Sequence, residues 1–131
     1  MELSNLNIKN GLCISLGANI DSKFGPPIDT LIRCRPLVEE IIRNWITEFQ
    51  TKGSRNLANI IFSWSSIYIT NPHGTAEPQP NYLNSLVLIK SLSLLKPSTQ
   101  KAKYLLKEFK SLEEEFGRNI SKSNKKWLSR C

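Results

Sequence analysis

The sequence has little of what catalytic and metal sites are commonly built from. Among 131 residues there is one histidine, His73, and there are three cysteines, Cys13, Cys34 and Cys131. The cysteines are odd in number, widely spaced and contain no Cys-x-x-Cys pair, which argues against a disulfide framework and a zinc site. They read as reduced thiols, with Cys13 on a strand and Cys34 on a helix as small buried apolar residues. A lone loop histidine with no carboxylate or thiol beside it reads as a shape residue, not a base or a metal ligand. Long apolar runs are also absent. The strongest, Leu86 to Ile89, is far below the roughly 18 residues a membrane span requires. The opening Met-Glu-Leu-Ser-Asn-Leu-Asn has neither the basic flank nor the apolar core of a secretory leader. A soluble, cytoplasmic protein without a membrane partner is expected.

Acidic residues are the other shortage, 11 Asp and Glu against 18 Lys and Arg, for a net charge of +7. From Gln100 onward nine basic residues face four glutamates, so most of the excess sits in the last quarter. A nucleotide phosphate or a nucleic-acid backbone would suit such a surface. With 40% hydrophobic residues, the length fits one domain over 1–131.

In chain order, Gly11 to Ala18 alternates Leu12, Ile14 and Leu16 and reads as a strand, followed by a turn from Asn19 to Gly25. Pro26 and Pro27 suit the start of a helix running to about Gln50, with Val38, Ile41, Ile42, Trp45 and Phe49 as its apolar stripe. Pro36 lies inside it, where a kink or break is expected because the ring clashes with the preceding turn. That helix shows no chemistry and is expected only to cover a sheet. Asn59 to Thr70 reads as one strand from its β-branched and aromatic content, and Leu83 to Lys90 as another. Pro97 or Ser98 opens a second helix whose stripe is Ala102, Leu105, Leu106, Phe109, Leu112 and Phe116. Glu113 falls beside that stripe, while Glu114 and Glu115 turn toward water. Arg118 to Lys126 is basic and aperiodic and reads as a loop, or as an ordinary basic tail.

The most particular stretch lies between the middle strands, Tyr68-Ile-Thr-Asn-Pro-His-Gly-Thr-Ala-Glu-Pro-Gln-Pro-Asn-Tyr-Leu-Asn84. Pro72, Pro78, Pro80 and Gly74 keep it out of helix and ladder, while Thr70, Asn71, His73, Tyr82 and Asn84 supply hydroxyl, amide, imidazole and phenol groups. On composition alone it is either a proline-rich connection or a stiffened platform for a small polar heterocycle.

Thr70-Asn-Pro-His-Gly74 followed by Gln79-Pro-Asn-Tyr-Leu-Asn84 resembles the pterin-binding signature of the 6-hydroxymethyl-7,8-dihydropterin pyrophosphokinases of folate biosynthesis. Three further stretches agree in order: Ser15-Leu-Gly-Ala-Asn19, Leu112-Glu113 with Phe116-Gly-Arg118, and Trp127-Leu-Ser-Arg130. The resemblance implies that Thr70, Asn71, Pro72 and His73 line a pterin pocket, that Tyr82 stacks on the ring and that Asn84 hydrogen-bonds its edge. Asn71 stands where many members carry proline. It also implies that Arg118 and Arg130 neutralise the phosphates during catalysis and that Glu113, Trp127 and Arg130 face ATP. Gly17 and Asn19 would border the phosphate-transfer site, and Gly117 would end the second helix as a left-handed cap.

The implied reaction is ATP-dependent diphosphoryl transfer to the pterin hydroxymethyl group with release of AMP. In that family two aspartates beyond the Trp-x-x-Arg motif hold two magnesium ions, and the sequence read here ends at Cys131, before such a pair. The expectation is therefore a C-terminally truncated, inactive domain with its metal ligands beyond Cys131, although the complete enzyme would be monomeric. The implied fold is α+β, a ferredoxin-like antiparallel sheet with helices packed on it and its last strand missing, which leaves an open edge. A rival from another class is a small basic RNA-binding domain, but its strands lack the aromatic and basic pattern that stacks bases.

Overall fold

The computed structural model describes residues 11–49, 60–72, 78–90 and 98–117. Six elements follow in order: β1 (Gly11–Ala18), α1 (Pro27–Phe49), β2 (Ile61–Trp64), β3 (Tyr68–Thr70), β4 (Tyr82–Lys90) and α2 (Thr99–Glu115). All pairings are antiparallel, with β4 central, β1 along one side and both β2 and β3 along the other. Two helices pack on this sheet, giving the α+β, ferredoxin-like arrangement expected.

Strand alternation decides where the core lies. Leu16 and Ala18 of β1 and Val87 and Ile89 of β4 are buried on one face. Against them α1 sets Leu31, Cys34, Val38, Ile42 and Ile46, all inaccessible, and α2 adds Leu105, Phe109 and Leu112, with Phe116 at its C-terminal cap. Each such Leu, Ile or Val contributes about 1.5–3 kcal/mol by leaving water, so this face fixes the position of both helices. Trp45 joins the helices by donating from Nε1 to the carbonyl of Lys101 at 2.9 Å.

The ends follow local chemistry. Ser22 and Gly25 exchange backbone hydrogen bonds of 2.9 and 3.0 Å in a tight turn, and Gly25 takes φ +115°, a conformation other residues rarely adopt. The Pro26 carbonyl accepts from Asp29 and Thr30, so α1 starts at the prolines as expected. Ser98 caps α2 by accepting from the Lys101 amide at 3.2 Å. Gly117, at φ 93°, closes it as the expected left-handed cap.

Four expectations need correction. First, α1 is not broken at Pro36: it runs uninterrupted from Pro27 to Phe49. Pro36 and Ile32 are both exposed, so the ring and the carbonyl it deprives of a partner face solvent, while the buried stripe holds the helix together. Second, Asn59–Thr70 is not one strand but two, separated at Ser65–Ile67. Third, Cys13 is exposed, because it alternates onto the face away from the core, whereas Cys34 is buried. Fourth, Leu106 and Ala102 do not belong to the buried stripe of α2, and Leu106 is 52% exposed. They border a groove of about 570 Å³ along the side of β1 that no described strand pairs, together with Cys13, Ser15, Gly17 and Phe109.

Candidate functional site

The break between β2 and β3 is a β-bulge, and it builds the site. In β2, Trp64 pairs with Val87; in β3, Tyr68 pairs with Asn84. Three residues, Ser65, Ser66 and Ile67, therefore oppose two, Ser85 and Leu86. A single extra residue inverts the facing of everything after it. Phe62 and Trp64 point to the core side with Ile89 and Val87, but beyond the bulge it is Ile67 and Ile69 that share the core side, Ile69 opposite Leu83. Tyr68 and Thr70 are turned to the opposite face, beside Asn84 and Tyr82.

On that face three of the expected residues, Thr70, Tyr82 and Asn84, come together. Asn84 Nδ2 donates to Thr70 Oγ1 at 2.8 Å, with longer contacts to the carbonyls of Tyr68 (3.3 Å) and Tyr82 (3.4 Å). These bonds fix the amide orientation and leave Oδ1 accepting nothing from the described residues. Tyr82 stands opposite Thr70 in register. Gly17 of β1 pairs with Asn84, and a Cβ there would lie 3.2 Å from Asn84 Oδ1 and 3.6 Å from Tyr82 Cδ1. Only a glycine leaves this floor flat.

Asn19, just past β1, is 2% exposed and donates from Nδ2 to Gln79 Oε1 at 2.9 Å and to the Pro80 carbonyl at 3.3 Å. It ties the strand end to the segment entering Tyr82. Its Oδ1 is buried and has no partner among the described residues. The Gly-x-Asn pair thus lies beside Tyr82 and Asn84 and against the Gln79–Pro80 segment.

Asn71 is exposed and Pro72 half-buried directly after β3. Glu113 is 4% exposed on the buried side of α2, and Glu114 and Glu115 face water, as their spacing implied. His73, Arg118, Trp127 and Arg130 lie outside the described residues, as does the loop from Arg118 to Lys126. Among the described residues no three His, Cys, Asp or Glu side chains group to hold a metal ion.

Two participants escaped sequence reasoning. Tyr68 contributes its carbonyl to Asn84. Arg35 of α1, in a helix credited only with covering the sheet, reaches the bulge itself, donating from Nη2 to the Ser65 carbonyl (3.1 Å) and to Ser85 Oγ (3.0 Å). One signal for the bulge was present: the apolar alternation passes from even positions, Phe62 and Trp64, to odd ones, Ile67 and Ile69. No helix among the described residues is long and apolar enough to cross a membrane. Compared with known proteins, the sequence matches no family model and no curated protein.

Proposed function

We propose that the face carrying Thr70, Tyr82, Asn84 and Gly17 binds a pterin, and that the protein acts in ATP-dependent diphosphoryl transfer to 6-hydroxymethyl-7,8-dihydropterin. The observation that carries the reading is the 2.8 Å bond between Asn84 and Thr70, with Tyr82 and the flat Gly17 floor at the same spot. A pterin is a planar, neutral bicycle with an amide edge of alternating donors and acceptors. Tyr82 offers a ring for stacking, and the held Asn84 amide offers Oδ1 to a ring N–H. The described residues of this cluster are all uncharged, which suits a neutral heterocycle.

In the proposed reaction the pterin hydroxymethyl oxygen attacks the β-phosphorus of ATP and AMP leaves. The contribution of the residues above is orientation, since phosphoryl transfer depends mainly on positioning and charge stabilisation. Arg118 and Arg130 would stabilise the moving phosphates, with Glu113 and Trp127 on the nucleotide side. Magnesium, when bound with ATP, would neutralise phosphate charge.

Fluorescence titration with 6-hydroxymethylpterin tests the reading most directly. Saturable binding is expected, nearly independent of salt and weakened about 10-fold or more in Tyr82→Ala and in Asn84→Ala, the equivalent of roughly 1.4 kcal/mol. Absence of binding would refute it. Steeply salt-dependent binding of single-stranded RNA in its place would favour the nucleic-acid rival.

A further inference from the structure

We infer that Arg35 is a positioning residue that holds the bulge and so decides which side chains of β3 reach the candidate site. In a regular ladder Ser65 would exchange both backbone bonds with Leu86. Only one is made: the Ser65 amide donates to the Leu86 carbonyl at 2.8 Å. The return bond is diverted, because the Leu86 amide donates to the Ser65 hydroxyl at 2.9 Å, and that hydroxyl donates to the Ser66 carbonyl at 2.8 Å.

The Ser65 carbonyl is thereby released from the ladder; Arg35 Nη2 takes it at 3.1 Å, with Ser85 Oγ as a second, longer donor at 3.5 Å. Arg35 is itself anchored by Ser85 Oγ, whose residue is fully buried, and its guanidinium lies 5.2 Å from the Trp64 ring centroid. One turn on, Glu39 accepts from Trp64 Nε1 at 3.2 Å and binds Arg43, whose guanidinium lies 4.8 Å from the Phe62 ring centroid. Positions 35, 39 and 43 thus form a stripe along α1 that grips β2 up to the bulge.

Two preferences bear on the chain after Trp64. Ile67, packed against the core, favours the bulged phase, while Ile69 is 66% exposed and adds little; the broken ladder bond favours the regular phase. Arg35 removes the penalty on the bulged side by satisfying the carbonyl that bulging strands. With three residues, β3 has little pairing of its own to resist a change. Without Arg35, Thr70 leaves its place opposite Tyr82.

The test is Arg35→Met, read by cross-strand nuclear Overhauser effects and by pterin titration. The expected result is loss of the Thr70–Tyr82 and Tyr68–Asn84 contacts while the β1–β4 and β2–β4 contacts persist. Pterin affinity falls about 10-fold. Should Arg35→Met fail to fold, Ser85→Ala removes both the anchor of Arg35 and the longer second donor to the Ser65 carbonyl, with little change in volume, and is expected to weaken the same contacts. Full retention of the Thr70–Tyr82 contact in a folded Arg35→Met, or in Ser85→Ala where that variant decides, overturns the inference. The affinity measurement rests on the pterin reading, and the strand contacts do not, so a wild-type protein that binds no pterin leaves the register test decisive.

Discussion

Gly17→Ala separates the site from the fold more sharply than any other single change. Gly17 lies in the interior of β1, buried, with a backbone conformation open to other residues. On stability grounds alanine should help, since glycine inside a strand is worse by about 0.5–1 kcal/mol. Opposing this, the new methyl meets Asn84 Oδ1 at 3.2 Å, so the amide must give way by a few tenths of an ångström; Tyr82 Cδ1, at 3.6 Å, is in ordinary contact. Displacing Asn84 strains its 2.8 Å bond to Thr70, whose net worth is about 0.5–1.5 kcal/mol. The two terms nearly cancel, so the melting temperature should stay within about 5 °C of wild type. Binding has no such offset, because the methyl fills the floor on which the ring would rest and turns Asn84 Oδ1, which accepts nothing from the described residues. A loss of about 10-fold or more in pterin affinity is expected, with little change in thermal melting, and Gly17→Val should abolish binding. Wild-type affinity in both variants would refute the placement of the ring on this face. A large drop in melting temperature for Gly17→Ala would refute the balance of terms.

Further expectations concern the parts that support this face. Asn19→Ala removes two hydrogen bonds to Gln79 and Pro80, and should lower stability by about 1–2 kcal/mol in urea titration and weaken pterin binding. Unchanged values would mean that the strand end needs no such tie. Gly117→Ala forces a methyl-bearing residue into φ 93° and should cost about 1 kcal/mol by the same assay, without altering pterin affinity. The side of β1 that no described strand pairs carries no charge and no proline and runs beside the exposed Leu106, so concentration-dependent self-association is expected in sedimentation, suppressed by Ser15→Lys. A sample that stays monomeric at high concentration would show that this edge is protected.

The plan of elements was legible because it rests on local rules. Alternation in Leu12, Ile14 and Leu16, prolines at a helix start, a serine cap and a closing glycine each act through the residue's own backbone or its near neighbours. Thr70, Tyr82 and Asn84 could be nominated from sequence by resemblance, but nothing local says that they share a face. Ordinary alternation from Trp64 would have sent Tyr68 and Thr70 into the core. The break allowed for at Pro36 does not occur for a related reason, since the rule that prolines break helices omits the packing that holds the turns on either side.

What the sequence by itself determined is the two helices with their caps, the strands β1 and β4, and the chemistry available in the proline-rich connection. Only the tertiary structure decided that an extra residue at Ser65–Ile67 turns Thr70 toward Asn84, that Gly17 is the floor beneath them, and that Arg35 answers the stranded carbonyl. The reason is physical: strand facing depends on a count of one residue against a partner strand, and the charge that satisfies the count comes from a helix thirty positions away.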